Sequence, residues 1–329
     1  MKRVLVSLMT AAVLMAAPGA ASAQEKYPSK PIRVVTAFGA GSATDIVARL
    51  LAEQVRQVLG ENVIVENKPG AFGILAIEDM ARARPDGHTL MLGNISTNVI
   101  TPLLYGNRFT INFDKDVTHV SRVGILPNLF VCTVKNFPPK TMAEFIAYAK
   151  ERPGQINYAT NAVGSFPHFD SEILARRAGI KMVHVPVKDG PPAFVKDMVK
   201  GDIHCAFVNA ATAAPLLRSG MLRALGAVSD KRLEEFPDVP TMAELGLPDV
   251  GTQLWSGILA HSSTPKPILE TIHGAVTKAL QSDALQASFK KQSVMPAPTK
   301  SLADNKAWVD GETAKWKRII DEVKLDLPK

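Results

Sequence analysis

Two glycine-containing segments of the sequence have the composition of turns that bind anions. Residues 38–45 (FGAGSATD) and residues 161–165 (NAVGS) each follow an apolar run and precede an amphipathic segment. Glycine lets backbone N–H groups approach a ligand closely, and the N-terminus of a helix carries about half a positive charge. Both segments therefore predict a loop that holds a small anion, such as a carboxylate, at the start of a helix.

A dinucleotide-binding turn is the alternative for the first segment. Gly39, Gly41 and Thr44 have the spacing of the G-x-G-x-x-G fingerprint, and Glu66 ends the next apolar run, where a ribose-binding acid would lie. The fingerprint is incomplete because Thr44 replaces its third glycine. We therefore expect a carboxylate cleft without a cofactor, and an exported nucleotide-cofactor enzyme that uses the Gly39-x-Gly41 turn is the alternative.

Patterns of known catalytic and metal sites are missing from the sequence. It has no G-x-S-x-G nucleophile elbow, no H-x-x-x-H pair and no C-x-x-C, so we expect neither enzyme activity nor a metal. His168 follows Ser165 by three positions, as either a base or an ordinary helix residue. Lys188 and Asp189 are either cleft residues or a loop ion pair, and Trp255 either stacks on a ligand or belongs to the core.

The composition is that of a globular protein. Of its 329 residues, 46% are hydrophobic and 21% charged, and the net charge is +7. The positive excess is not gathered into a Lys/Arg run and aromatic residues make up only 6%, so no nucleic-acid partner is expected. Cys132 and Cys205 both lie in apolar runs, which favours two buried thiols, with a disulfide as the alternative.

Residues 1–23 have the pattern of a secretory signal peptide. Lys2 and Arg3 precede an apolar stretch at residues 4–17, and residues 21–23 (ASA) match the A-x-A cleavage signal. The apolar stretch is shorter than the ~20 residues that a spanning helix needs. We expect cleavage after Ala23 and a mature protein in the periplasm that begins at Gln24, with a membrane-retained N-terminal anchor as the alternative.

Strands and helices are predicted to alternate along the mature chain. Apolar runs predict strands at 31–37, 62–66, 89–92, 129–134, 156–159, 182–185, 203–208, 222–228 and 253–260. Helical spacing predicts helices at 43–59, 73–84, 141–151, 166–178, 192–200, 213–219, 265–280, 283–290 and 301–323. This order predicts an α/β fold with a parallel sheet and helices on both of its faces. The length favours two domains or one large one. From the order of elements we expect two lobes, with residues 24–125 and 251–329 in the first and residues 126–250 in the second.

Ordered motifs from Tyr27 onward are similar to those of a known family. They are YPSKPIRVV (27–35), FGAGSATD (38–45), AR (48–49), VENKPG (65–70), PDGHTL (85–90), GSFPH (164–168), HVPVK (184–188), LRAL (222–225), PDVPT (237–241) and the tryptophan at 255. On these motifs the sequence resembles the Bug-type receptors, which are extracytoplasmic solute-binding proteins of tripartite tricarboxylate transporters.

The resemblance implies a two-lobe Venus-flytrap fold, like that of type II periplasmic binding proteins, with a mostly parallel sheet flanked by helices in each lobe. It implies a monomer that captures a small carboxylate (a di- or tricarboxylate or an aromatic acid) without catalysis, for membrane transporter subunits or a sensor protein. In this family the two glycine loops hold a carboxylate through backbone N–H groups and bridging waters. Together, these arguments give as ligand-binding candidates Phe38, Gly39, Ala40, Gly41, Ser42, Asp45, Phe72, Asn94, Thr160, Asn161, Gly164, Ser165, His168, Val187, Lys188, Asp189, Asn209 and Trp255.

Three candidates depart from the family pattern in ways that affect ligand choice. Ser42 stands where the family usually has glycine and adds a hydroxyl beside the expected carboxylate. Val187 replaces a common tyrosine, which removes an aromatic wall. We expect Phe72 to supply an aromatic wall elsewhere in the cleft.

Overall fold

The computed structural model describes residues 26–187 and 190–325, so the expected signal peptide, Lys188 and Asp189 lie outside the described residues. The described strands form two sheets with helices packed around them. The first sheet contains β1 (Ile32–Thr36), β2 (Val63–Asn67), β3 (Thr89–Asn94), β4 (Val117–Leu126), β10 (Leu254–His261) and β11 (Met295–Pro296). The second contains β5 (Asn128–Thr133), β6 (Ile156–Thr160), β7 (Met182–Pro186), β8 (Cys205–Asn209) and β9 (Leu222–Val228).

Eleven α-helices surround these sheets in the described part of the chain. They are α1 (Ala43–Leu59), α2 (Ile74–Ala81), α3 (Thr101–Tyr105), α4 (Phe113–Asp116), α5 (Met142–Glu151), α6 (Phe166–Ala178), α7 (Pro191–Lys200), α8 (Ala210–Arg218), α9 (Lys266–Leu280), α10 (Asp283–Lys291) and α11 (Leu302–Val323). Among the described residues, none of the helices combines the length and the apolar character that a membrane span requires.

The two-lobe α/β architecture predicted from the sequence is confirmed, but both sheets are mixed rather than mostly parallel. The strand orders are β11-β4-β10-β3-β1-β2 and β7-β6-β8-β5-β9. In the first sheet β10 runs antiparallel to β3 and β4, and in the second β5 runs antiparallel to β8 and β9. Parallel neighbours need a crossover connection of a dozen or more residues. Because β5 and β10 enter their sheets directly from the other lobe, neither is placed by such a crossover.

The chain passes between the sheets twice, and side chains tie the two passages together. It leaves the first sheet after Leu126 and returns to it at Leu254. Asn128 Nδ2, at the first passage, donates a 3.4 Å hydrogen bond to the carbonyl of Thr252, at the second. Asp170 on α6 accepts hydrogen bonds from the Thr252 amide at 2.9 Å and from its hydroxyl at 2.6 Å. The lobe boundaries near residues 125 and 250 stay predictions.

Local signals in the sequence explain where the helices near the cleft begin and end. Ser42 caps α1 by accepting a hydrogen bond from the amide of Asp45, and α1 ends at Gly60, whose φ of 74° favours glycine. Strand β4, whose sequence (VTHVSRVGIL) does not alternate strictly between apolar and polar residues, and the π-helical segment Ser96–Ile100 lack a clear periodic signal and are not among the predicted elements.

The two cysteines face each other across β5 and β8. Cys132 and Cys205 are register partners, both are fully buried, and both are free thiols. Burial raises the pKa of the Cys132 thiol well above its usual value. The prediction of two buried thiols is therefore confirmed.

Candidate functional site

A cavity of about 460 Å³ lies between the two lobes. Its volume falls in the range of about 300–1,000 Å³ that is usual for small-molecule sites. One side comes from the first lobe and the other from the second. The lining residues are Ala37, Phe38, Gly39, Ser42, Pro69, Gly70, Ala71, Phe72, Gly73, Ser96, Thr97, Thr101, Tyr105, Asn161, Ala162, Val163, Gly164, Ser165, Pro186, Gly190 and Pro191.

The first glycine loop is held in shape by the buried carboxylate of Asp45. This carboxylate accepts hydrogen bonds from the Gly41 amide at 2.9 Å and from Asn67 Nδ2 at 2.7 Å, and it forms an ion pair with Arg49 at 3.0 Å. Asn67 Nδ2 also donates to the carbonyl of Phe38. Burial alone would raise the pKa of the Asp45 carboxyl, but these hydrogen bonds outweigh burial and lower it. Asp45 therefore fixes the loop instead of facing the ligand.

The second glycine loop is stabilised from behind by polar side chains. Thr160 Oγ1 donates to the carbonyl of Ala162 at 3.0 Å, and Ser165 Oγ donates to the same carbonyl at 2.7 Å. The Gly164 amide donates to His168 Nδ1 at 3.0 Å. Ser165 lines the cavity, but its only hydroxyl hydrogen is used within the loop. In this conformation the Ser165 hydroxyl supports the loop, and the role of Ser165 as a ligand-binding residue stays a prediction.

Two stacked histidines support this second loop. The rings of His168 and His184 have centroids 3.8 Å apart and an interplanar angle of 19°. His184 Nε2 lies 2.6 Å from Thr160 Oγ1. The Tyr158 ring also stacks on His184, with ring centroids 5.1 Å apart. Burial lowers the pKa of His168 to about 3 and that of His184 to about 4. Both rings are therefore neutral at physiological pH.

An aromatic pair forms part of the wall contributed by the first lobe. Phe72 and Tyr105 are stacked, with centroids 4.4 Å apart and an interplanar angle of 19°. Thr101 Oγ1 donates to the carbonyl of Phe72 at 2.8 Å. The expected aromatic wall at Phe72 is thus present on the cavity surface, and Tyr105 extends it.

Hydrogen bonds cross the cleft between the lobes. Tyr105 Oη donates to the carbonyl of Val163 at 3.2 Å, and the Phe166 amide, at the start of α6, donates to Ser96 Oγ at 3.2 Å. Both bonds join the helical segment 96–105 of the first lobe to the second glycine loop. The structure therefore describes a conformation in which the lobes are in contact.

Seven of the candidates from the sequence line this cavity, and nine described ones do not. The lining candidates are Phe38, Gly39, Ser42, Phe72, Asn161, Gly164 and Ser165. Four more candidates lie behind the lining and shape the loops as described above: Gly41, Asp45, Thr160 and His168. Asn94 also lies behind the lining, where its Nδ2 donates a hydrogen bond to Thr44 Oγ1. Ala40 adjoins the lining, and the Val187 amide donates to the carbonyl of Thr160.

Two further candidates belong to other parts of the fold. Asn209 caps α8 and donates to the carbonyl of Pro127, at the first passage between the lobes. Trp255 is buried against Trp308 and donates to Glu312 at 3.1 Å. For Trp255 the core interpretation fits the structure. The sequence alone could not distinguish these two residues from ligand-binding residues. Asn209 ends an apolar strand and Trp255 lies in one, and both strands were predicted to reach the cleft.

Sequence reasoning missed most of the wall from the first lobe. Ser96, Thr97, Thr101 and Tyr105 come from the π-helical segment and α3, which had not been predicted as elements. The KPG turn at 68–70 follows β2 and lies just before Phe72 in the sequence, and it was the one available signal for this wall.

A larger cavity, of about 580 Å³, lies within the first lobe between β4 and α11. None of the sequence candidates lines it. Within the described residues there is no group of three His, Cys, Asp or Glu side chains that could hold a metal ion. The inter-lobe cavity is therefore where the sequence candidates and the geometry coincide.

Two α/β lobes around a ligand-sized cleft are the architecture of periplasmic binding proteins, and the solved periplasmic binding protein BugD has this fold, with a TM-score of 0.81 and 28% identity over 91% of this chain and 99% of BugD. Within that class, a sequence model described as "Tripartite tricarboxylate transporter family receptor" matches residues 47–325. Protein BugT of Bordetella pertussis is 32% identical over 317 residues, which cover 96% of this chain and 95% of BugT. The chain therefore belongs to the tripartite tricarboxylate transporter receptor family, as its motifs predicted.

Solved structures share the whole fold. An R. palustris protein with adipate has a TM-score of 0.84 and 28% identity, covering 91% of this chain and 98% of that one. MatC from Rhodopseudomonas palustris, with bound malate, has a TM-score of 0.81 and 30% identity, covering 89% of this chain and 100% of MatC. The family and fold are those of solute-binding receptors.

Proposed function

We propose that this protein is a periplasmic receptor that captures a small organic carboxylate in the inter-lobe cavity and releases it chemically unchanged. The bound solute would be passed to membrane transporter subunits or presented to a sensor protein. Adipate and malate in the related structures support a carboxylate ligand. The signal-peptide pattern of residues 1–23 supports export.

The main observation in support of this proposal is a set of backbone amides on both sides of the cavity. In the part of the chain that the structure describes, the amides of Gly39, Asn161 and Val163 have no acceptor within the protein. All three residues line the cavity. A carboxylate placed between the two loops would satisfy them with charge-assisted hydrogen bonds, each contributing roughly 1.5–3 kcal/mol. Two or three such bonds and lobe closure suffice for the ~8 kcal/mol of micromolar binding.

The nucleotide-cofactor alternative is not favoured by the geometry. In a dinucleotide site, the glycine turn must offer its amides to a pyrophosphate. Here the Gly41 amide donates to Asp45, and Glu66 forms an ion pair with Arg33 at 2.9 Å. Two of the groups on which that interpretation depended are thus engaged within the protein.

A thermal-shift screen with matched ligands tests the proposal. The purified protein would be unfolded in the presence of organic acids and of the corresponding amides, which have the same shape without the charge. A ligand at one hundred times its Kd stabilises the native state by about 2.7 kcal/mol, so the midpoint should rise for at least one acid and not for its amide. Equal shifts for acid and amide, or shifts only with nicotinamide cofactors, would contradict the proposal.

A glycine variant locates the binding in the cleft. Gly39 lines the cavity, and a Cβ added to it would meet no atom within 4 Å. Gly39→Leu should therefore leave the fold intact and fill ligand space. Gly274→Leu is the matched control, since Gly274 lies on the exposed side of α9 and its added Cβ also meets nothing within 4 Å. The acid-dependent shift should disappear in Gly39→Leu and persist in Gly274→Leu.

A further inference from the structure

The cavity between β4 and α11 is larger than the inter-lobe cavity, and the proposed function gives it no role. Its volume of about 580 Å³ lies within the range of about 300–1,000 Å³ that is usual for small-molecule sites. We call it the outer cavity. One face of α11 lines it from Leu302 to Lys317, and β4, α3, α4, α9 and the π-helical segment supply the other walls. The outer cavity therefore has the size of a ligand site and walls from several elements.

Much of the lining of the outer cavity is apolar. Three buried valines contribute to it from the π-helical segment, β4 and α11: Val99, Val117 and Val309. The Phe113 ring and three leucines extend this surface, and the leucines are Leu103 on α3, Leu269 on α9 and Leu302 on α11. Removing apolar surface from water is favourable in proportion to its area. This part of the lining therefore suits the apolar body of a ligand.

The imidazole of His119 is the polar group of this cavity that a ligand can use. His119 lies on β4, and within the described residues its ring has no hydrogen-bond partner. The Phe113 ring lies edge-on to it, with centroids 6.3 Å apart. Burial lowers the pKa of His119 to about 4, so the ring is neutral at physiological pH. A neutral imidazole has one N–H donor and one acceptor nitrogen, and a hydroxyl group can bond to either.

The charged side chains of the described lining balance each other. Two acids and two bases stand exposed at the rim: Asp114, Asp310, Lys306 and Lys317. Lys306 and Asp310 form an ion pair at 2.6 Å, and both act on the charge of His119 with opposite signs. An ion beside His119 would lose hydration without gaining a net opposite charge from these groups. The described lining therefore favours a neutral ligand.

The outer cavity and the inter-lobe cavity share a wall, which is segment 96–105. Four of its residues line the inter-lobe cavity: Ser96, Thr97, Thr101 and Tyr105. Four others line the outer cavity: Asn98, Val99, Pro102 and Leu103. Ser96 and Tyr105 also make the hydrogen bonds that reach the second lobe. A ligand in the outer cavity would therefore pack against the segment that holds the two lobes in contact.

We propose that the outer cavity is a second small-molecule site, which binds a neutral, mainly apolar molecule through one hydroxyl group at His119. Segment 96–105 links occupancy of this site to the contact between the lobes. Phenols and alicyclic alcohols have this chemistry, with an apolar ring and one hydroxyl. The site goes beyond the proposed function, and it can exist whether or not the cleft binds a carboxylate.

Phenol is the probe for this site, and fluorobenzene is its match in size without the hydroxyl. Titration of the purified protein, followed by ligand-observed NMR, should give a Kd for phenol at least fivefold below that for fluorobenzene. Phenol should bind unchanged to Gly39→Leu, in which the cleft is filled. Equal Kd values for the two probes would overturn the hydroxyl chemistry, and loss of phenol binding in Gly39→Leu would place the phenol in the cleft and overturn the site.

Two alanines of α11 provide a matched pair of variants. Ala303 is exposed and lines the outer cavity, so Ala303→Phe fills the cavity without disturbing the core. Ala307, one turn later, is also exposed but does not line it, so Ala307→Phe is the control. Phenol binding should weaken at least tenfold in Ala303→Phe and stay unchanged in Ala307→Phe, while urea denaturation shows that both fold. His119→Leu should lower the affinity for phenol to that for fluorobenzene. Equal phenol affinity in the two alanine variants would overturn the proposal.

The double variant Ser96→Ala/Tyr105→Phe tests the shared wall. It removes both hydrogen bonds from segment 96–105 to the second lobe and changes no residue that lines the outer cavity. If the segment links the two cavities, phenol should bind at least twofold more weakly to this variant than to the wild type. Unchanged phenol affinity would overturn the link and leave the site itself in place.

Discussion

Asp45 shows how a single buried carboxylate can shape a binding loop without touching the ligand. It receives the Gly41 amide and Asn67 Nδ2 and lies beside Arg49. The sequence motif marked Asp45 as a site residue, but type and spacing could not show which way its carboxylate points. The structure assigns it to the loop because the donors surround it on the protein side.

Asp45→Asn is expected to weaken both the fold and the site. The amide would present N–H groups to a position that now accepts hydrogen bonds, which costs about 1–3 kcal/mol. The unfolding free energy from urea denaturation should fall by that amount, and carboxylate affinity should fall at least fivefold. Glu53→Gln is the matched control, because Glu53 pairs with Arg56 on the exposed side of the same helix. An equal effect of both substitutions would contradict this role of Asp45.

The stacked histidines should make stability depend on pH. In the folded protein their pKa values are about 3 for His168 and about 4 for His184, below the ordinary value near 6.5. Between these folded values and pH 6.5, the two histidines therefore bind more protons in the unfolded chain than in the folded protein. The contribution of the pair to stability is complete above about pH 6.5 and is lost as pH falls toward 4. Each unit of pKa shift corresponds to about 1.4 kcal/mol.

A double variant isolates this effect from that of another buried acid. Burial raises the pKa of Asp170 to about 7, which changes stability with the opposite sign over part of the same range. The wild type should therefore be compared with His168→Gln/His184→Gln by urea denaturation at pH 7 and pH 4.5. Acidification should destabilise the wild type more than the variant. If the wild type and the double variant differ in unfolding free energy by the same amount at pH 7 and at pH 4.5, this mechanism is ruled out.

At the scale of elements, sequence patterns located regular helices well and irregular ones poorly. The bounds of α1 and α6 were predicted correctly because Ser42, Gly60 and Gly179 mark their ends with capping chemistry. The π-helical segment Ser96–Ile100 has no such signal and is held by tertiary hydrogen bonds, from Asn98 Nδ2 to the Gly257 carbonyl and from the Phe166 amide to Ser96 Oγ. The fold class and both glycine loops were therefore predictable, whereas the wall around Tyr105 was not.

Gly93→Ala tests how tightly this irregular segment packs under the cleft. A Cβ on Gly93 would lie 2.0 Å from Asn98 Oδ1 and 2.4 Å from Thr97 Oγ1, and Thr97 Oγ1 also accepts from the Asn94 amide. We expect a loss of about 1–3 kcal/mol of unfolding free energy from this overpacking. Gly106→Ala, whose added Cβ meets nothing within 4 Å, should cost less than about 0.5 kcal/mol. Equal stability of the two variants would show that the segment adjusts freely.

At the scale of the whole molecule, the site exists only where the two lobes meet. Tyr105→Phe removes the hydroxyl bond to Val163, and Ser96→Ala removes the acceptor for the Phe166 amide. Each lost hydrogen bond should make contact between the lobes less favourable by about 0.5–1.5 kcal/mol. Carboxylate binding, measured by calorimetry, should therefore be about two- to tenfold weaker. Tyr148→Phe, on α5 away from the cavity, is the control and should bind like the wild type. Unchanged affinity in both cleft variants would mean that these contacts do not hold the closed form.

The long-range part of the site was the hardest to predict from sequence. Gly39 and Val163 are far apart in the chain and reach one cavity only through the two passages between the sheets. The family resemblance supplied this arrangement where periodicity alone could not. Substitutions specific to this chain, such as Phe72, then required the structure to show which wall they occupy.

A crystal structure of the protein with a bound carboxylate is the most direct test of the central claim. The claim predicts both carboxylate oxygens in the inter-lobe cavity, within about 2.7–3.2 Å of the amides of Gly39, Asn161 and Val163 or joined to them through one water. A carboxylate held instead by the Lys188 ammonium group, or bound outside the cavity, would contradict it.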